Sequence, residues 1–91
     1  MDLFESHRAQ LERLLNIATE RLSHDELGQV RTAVERWRSE GLRPAATVPK
    51  LAARDDAVLR VVEELNVADG ALPPEQVDEL FALAYERLPA F

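Results

Sequence analysis

The sequence predicts an all-α protein: a compact, mostly antiparallel bundle of four main helices plus a short extra helix near residues 49–54. Three observations carry this. Apolar residues recur at helical spacing in four segments, capping and stop residues mark the ends of those segments, and the connections are short enough to make consecutive helices neighbours. A chain of 91 residues suffices for one domain, residues 1–91, and hides little more than ~60% of its unfolded surface, so nearly every large apolar side chain is needed in the core.

The first helix places Phe4, Leu11, Leu15, Ala18 and Leu22 on one face, with Glu5, Glu12, Arg13 and Glu20 behind. Asp2 stands where a carboxylate can accept from first-turn amides, with Glu5 three residues on in a capping-box pattern. Near Leu22 this helix stops, and Ser23-His24-Asp25-Glu26 opens a second box almost without a linker. The second helix carries Leu27, Val30, Val34 and Trp37 inward and ends near Glu40, because Gly41 suits a left-handed C-terminal residue and Pro44 forbids continuation. Leu42 to Pro49 is read as an ordered connection.

Between Val48 and Val67 a single helix would turn Asp55 into the apolar face, at a cost of several kcal/mol if the carboxylate is ionised and unpaired. A break is cheaper. The sequence therefore predicts a short helix over about residues 49–54, then a third main helix capped by Asp55 or Asp56 with Val58, Val61, Val62 and Leu65 inward. Asn66 to Pro73 is expected to be a loop around Asp69-Gly70. Pro74 suits the first turn of a last helix, which carries Val77, Leu80, Phe81, Ala84 and Leu88 at helical spacing and stops before Pro89.

Acids outnumber bases 17 to 11, and the second half is the more acidic. Net negative charge opposes attraction to nucleic acids and anionic membranes, so neither is expected as a partner. The absence of cysteine excludes a disulfide framework and a thiol nucleophile. Met1 is followed by Asp2 and Glu5, and no apolar run approaches ~18 residues, so a cytoplasmic location without leader or membrane span is expected. One lysine against ten arginines suits a GC-rich genome, bacterial or phage.

The sequence offers no site chemistry. His7 falls at the centre of the first apolar face, where a partly buried, hydrogen-bonded ring is expected, and His24 falls in a capping box. Glu20 and His24 are separated by the predicted helix break, so they do not make a helical metal pair. Capping accounts for Asp55-Asp56 better than a cation site does, because no second dense acidic motif exists. Ser6, Ser23 and Ser39 lie in no nucleophile elbow, and Gly28, Gly41 and Gly70 form no phosphate loop. No catalytic residue, cofactor or metal is assigned, and the chain is read as a non-enzyme.

Two surface features remain. Glu75, Glu79 and Glu86 share a narrow arc of the last helix, which is either a solvated face or a docking ridge for a basic protein surface. Tyr85, Leu83 and the end Leu88-Pro-Ala-Phe91 fall outside the tidy stripe, either as late core or as a contact patch. The function expected is that of a small acidic protein-binding module, an accessory, regulatory or inhibitor subunit. Its docking residues would be Glu75, Glu79, Tyr85, Glu86 and Phe91, with the arginine-bearing face at Arg31 and Arg38 as the fallback; a homodimer is compatible with the sequence. The alternative is a helix-turn-helix-like DNA-binding regulator using residues 46–66, whose second helix carries Asp55, Asp56, Glu63 and Glu64 against one arginine, Arg60. A dimer would then have to supply a basic face from Arg31, Arg36, Arg38 and Arg43.

Overall fold

Two of the helices begin where a side chain answers a first-turn amide, and a third begins at a proline. The computed structural model describes residues 2–40 and 56–88, and its four helices are α1 (Leu3–Arg21), α2 (His24–Glu40), α3 (Asp56–Ala71) and α4 (Pro74–Arg87). Asp2 Oδ1 accepts from the Glu5 amide at 2.8 Å and caps α1. Ser23 and Glu26 form the full reciprocal box at the start of α2. The Ser23 amide donates to Glu26 Oε1 at 3.0 Å, and the Glu26 amide donates to Ser23 Oγ at 3.2 Å, so two amides that the helix leaves orphaned are satisfied by one pair of side chains. In α4 Pro74 occupies the first turn, and the Pro73 carbonyl takes the Val77 amide at 3.1 Å.

The expected short helix near 49–54, the connection after Glu40, Asp55 and Phe91 fall outside the described residues. The third main helix corrects the boundary expected from Asp69-Gly70. No loop opens at Asn66; α3 runs on through Gly70 to Ala71, and the Leu72 amide still donates to the Ala68 carbonyl at 3.0 Å. The reason is tertiary. Ala68 continues the buried row of Val61 and Leu65, and Leu72 packs against the core just beyond it. Burial at these positions outweighs the ~1 kcal/mol that a helical glycine costs relative to alanine. Pro73 and Pro74 then stop the helix where Gly70 did not.

The buried residues form one cluster fed by all four helices, including Leu11 and Leu15 of α1, Val34 and Trp37 of α2, Val58 and Leu65 of α3, and Leu80, Phe81 and Ala84 of α4. Trp37 is 8% exposed, a core residue as its place in the stripe predicts. Each fully buried leucine contributes about 1.5–3 kcal/mol of transfer free energy. The radius of gyration, 12.1 Å, matches the ~12 Å of a compact chain of this length.

The helices do not all approach alike. The α1, α3 and α4 backbones come close to one another, whereas α2 stands further off, although Leu27, Val30, Ala33, Val34 and Trp37 are buried in the same core. Across the α1–α3 seam, His7 Nδ1 lies 2.6 Å from Glu64 Oε1, with the side chains 13% and 17% exposed. The partly buried, hydrogen-bonded His7 expected from the helical angle therefore finds its partner 57 residues away.

Candidate protein-docking site

α4 presents three faces. Val77, Leu80, Phe81 and Ala84 point into the core, and Leu88 is buried just beyond the last turn. One flank meets α2 and the other borders α1.

On the α2 flank Arg31, Glu35, Arg38 and Asp78 are all paired. Arg38 pairs with Asp78 and holds its guanidinium 4.3 Å above the centre of the Phe81 ring. Arg31 lies 5.2 Å from the centre of the Tyr85 ring, and its Nη1 donates to the Tyr85 and Leu88 carbonyls at 2.6 and 2.9 Å. A cation there answers carbonyls that the helix end leaves without partners and opposes the negative pole of α4. Glu35 Oε1, 2.6 Å from Arg31 Nε, fixes the arginine from behind. Trp37 and Phe81 stack tilted at 5.5 Å, and Phe81 meets Tyr85 at 6.2 Å. Burial pushes the Tyr85 phenol above its ordinary range, the Glu35 charge reinforces the rise, and Arg38 and Arg31 oppose it.

The α1 flank is held by one polar contact, Arg87 Nη1 donating to Asn16 Oδ1 at 2.7 Å, and among the described residues the rest of it is open. Phe4 and Arg8 of α1 with Glu79, Ala82, Leu83 and Glu86 of α4 line a solvent-open cleft of about 250 Å³. Phe4 and Leu83 each pack partly on the core, so apolar surface remains in the cleft between them. Arg8 is paired with Glu12 of its own helix at 3.7 Å. Glu75, Glu79 and Glu86 are exposed, and none forms an ion pair with another described residue.

The residues expected to dock a partner are therefore divided between two surfaces. Glu79 and Glu86 come together at the α1 cleft, with Glu75 one turn before Glu79. Tyr85 turns to the opposite flank, half-buried beneath Arg31, and Leu88 is late core. Phe91 falls outside the described residues. Arg31 and Arg38, the fallback interface and half of the basic face a DNA-binding dimer would need, are both folded back onto α4. On α3, Arg60 pairs with Asp56 at 3.2 Å. Sequence reasoning missed Phe4, Arg8 and Ala82 as neighbours of the acidic ridge. Their partnership depends on α1 lying beside α4, which no local pattern states.

Among the described residues no group of three or more His, Asp or Glu side chains is placed to hold a metal ion, and no helix is long and apolar enough to cross a membrane. Comparison with protein-family models, with curated proteins and with solved structures finds no match for this chain.

Proposed function

We propose that this chain is a small, non-catalytic protein-binding module, an accessory, regulatory or inhibitor subunit that engages a larger partner through a basic surface. It is read as acting in the cytoplasm of a bacterial or phage-infected cell, with its helices in mostly antiparallel order. The observation that carries the reading is the unanswered acidic face of α4. Glu75 and Glu79 are like charges one turn apart, a pairing that costs a helix about 0.2–0.5 kcal/mol. Glu86 sits in the last turn, where the helix dipole disfavours a negative charge. The dipole favours Glu75, in the first turn, but local electrostatics do not explain Glu79 and Glu86, whereas Asp56, Asp78, Glu12, Glu35 and Glu64 each have a cationic or histidine partner within the fold. A basic partner would answer them. Two copies joined through this face would set glutamate against glutamate, so the partner proposed is a different chain. The DNA-binding alternative draws less support, because Arg31, Arg38 and Arg60 are already committed to intramolecular pairs.

The test is affinity capture with the intact chain beside a Glu75→Lys/Glu79→Lys/Glu86→Lys variant, with identification of what stays bound. A protein retained by the parent chain, lost on the variant and released progressively by salt is the expected result. Retention of nucleic acid by the parent chain would favour the helix-turn-helix alternative.

A further inference from the structure

The two flanks of α4 follow one geometry. On the α2 flank, Arg31 and Arg38 stand seven residues apart with the buried Val34 between them. They engage α4 at Tyr85 and Asp78, themselves seven apart, with Phe81 between. A seven-residue step returns to nearly the same helix face ~10.5 Å along the axis, so two helices side by side offer contacts at matching intervals. On the α1 flank, Glu79 and Glu86 repeat this step one residue later, with Ala82 and Leu83 between them, and among the described residues no cation of another helix pairs with them.

We propose that the α1–α4 cleft docks an amphipathic helix of a partner protein that carries arginine or lysine at two positions seven apart and an apolar residue three or four after the first. The inference rests on the protein-binding reading above and adds to it the site, the secondary structure and the residue pattern of the partner. The apolar side chain enters between Phe4 and Leu83 over Ala82, and the two cations meet Glu79 and Glu86. Volume agrees with this occupant. About 250 Å³ is below the ~300–1,000 Å³ of small-molecule pockets and suits one or two side chains of a docked segment. Charge agrees as well, since Arg8, the one cation among the described residues that line the cleft, is paired with Glu12 and leaves both rim glutamates to a partner. The apolar contact, desolvated on docking, sets how long the complex lasts, and the glutamates set how fast it forms.

The probe is a phage-displayed library of random 16-residue helical peptides, selected against the intact chain. Enriched peptides are then measured on the parent chain, on Ala82→Arg and on Glu79→Lys/Glu86→Lys. Ala82 is exposed on a helix that tolerates arginine, so this substitution obstructs the cleft without entering the core, and circular dichroism verifies the fold of both variants. Enriched sequences are expected to carry two basic residues seven apart around an apolar one. They should bind Ala82→Arg at least ~10-fold more weakly, a loss of about 1.4 kcal/mol, and associate more slowly with the double lysine variant. Peptides that bind the parent chain and both variants equally would overturn the cleft and leave the protein-binding reading standing. No enrichment over an inert helical bundle of similar charge would overturn that reading, and the cleft with it.

Discussion

The two flanks of α4 use the same kinds of residue to opposite ends. Toward α2, Arg31, Arg38, Glu35 and Asp78 are closed into pairs over the Phe81 and Tyr85 rings. Toward α1, Glu79 and Glu86 overlook a cleft of mixed polar and apolar lining whose one described arginine, Arg8, is engaged with Glu12. A flank whose charges are all answered is part of the fold. A flank whose charges are left open is available to something outside it, and substitutions should separate the two by their effect on stability.

The largest effect is expected at Trp37, the anchor of the closed flank. It is 8% exposed and stacks on Phe81, so Trp37→Ala should cost about 3–5 kcal/mol, enough to unfold much of a domain with a stability of ~5–15 kcal/mol. Urea or thermal denaturation followed by circular dichroism measures this. A variant with unchanged stability would show that α2 is not held by its aromatic contact.

Arg31→Ala should come next, at about 1.5–3 kcal/mol. It removes a charged donor from the Tyr85 and Leu88 carbonyls and a cation from the Tyr85 ring. Arg31→Lys should recover part of the loss, since an ammonium keeps the charge but not the planar fork that serves two carbonyls and Glu35 together. If Arg31→Ala were neutral in urea denaturation, the flank would be closed by apolar packing alone.

How much of this was legible follows from what each residue depends on. The stripe of Leu11, Leu15 and Ala18, the Ser23–Glu26 box and the burial of Trp37 depend on local periodicity and local hydrogen bonds, and the sequence displays both. The end of α3 depends on what Ala68 and Leu72 meet in the core, so Gly70 misled. The acidic arc was legible because a helical wheel places Glu75, Glu79 and Glu86. Tyr85 fell outside the inward stripe on the same wheel, but its fate was decided by Arg31 from 54 residues away. The wheel gives angles and not neighbours, which is why it grouped Tyr85 with the glutamates and the fold separated them.

Tyr85 gives the closed flank a pH dependence. Its phenol is raised in the folded state, chiefly by burial, so the folded chain holds the proton more tightly than the unfolded one. The stability from this group is present below the unfolded value of ~10 and is lost as pH rises through the higher folded value. As the chain has one tyrosine, ultraviolet titration of phenolate reads the group directly. The expected result is a midpoint above 10 that moves back toward 10 in urea, with denaturation midpoints falling across the same interval. A native midpoint at or below 10 would mean that the ring is solvated and the flank open.

The smallest effect is expected on the open flank, and its sign is the informative part. Glu79→Lys converts a like-charge pair with Glu75 into a Glu-to-Lys pair at i,i+4, a gain of about 0.5 kcal/mol counting both the repulsion removed and the attraction made. Glu86→Lys places a cation in the last turn of α4, where the dipole favours it by about 0.3–1 kcal/mol. Opposing both is Arg8 across the cleft, although its pairing with Glu12 and its exposure to solvent weaken the repulsion. The double variant should therefore be as stable as the parent chain or slightly more so, with a urea midpoint equal or higher at an unchanged slope. A loss above ~1 kcal/mol would mean that Glu79 and Glu86 are already answered within the fold and that the two flanks of α4 do not differ. A gain would show glutamates held where folding alone prefers lysines, as a surface kept for a basic partner requires.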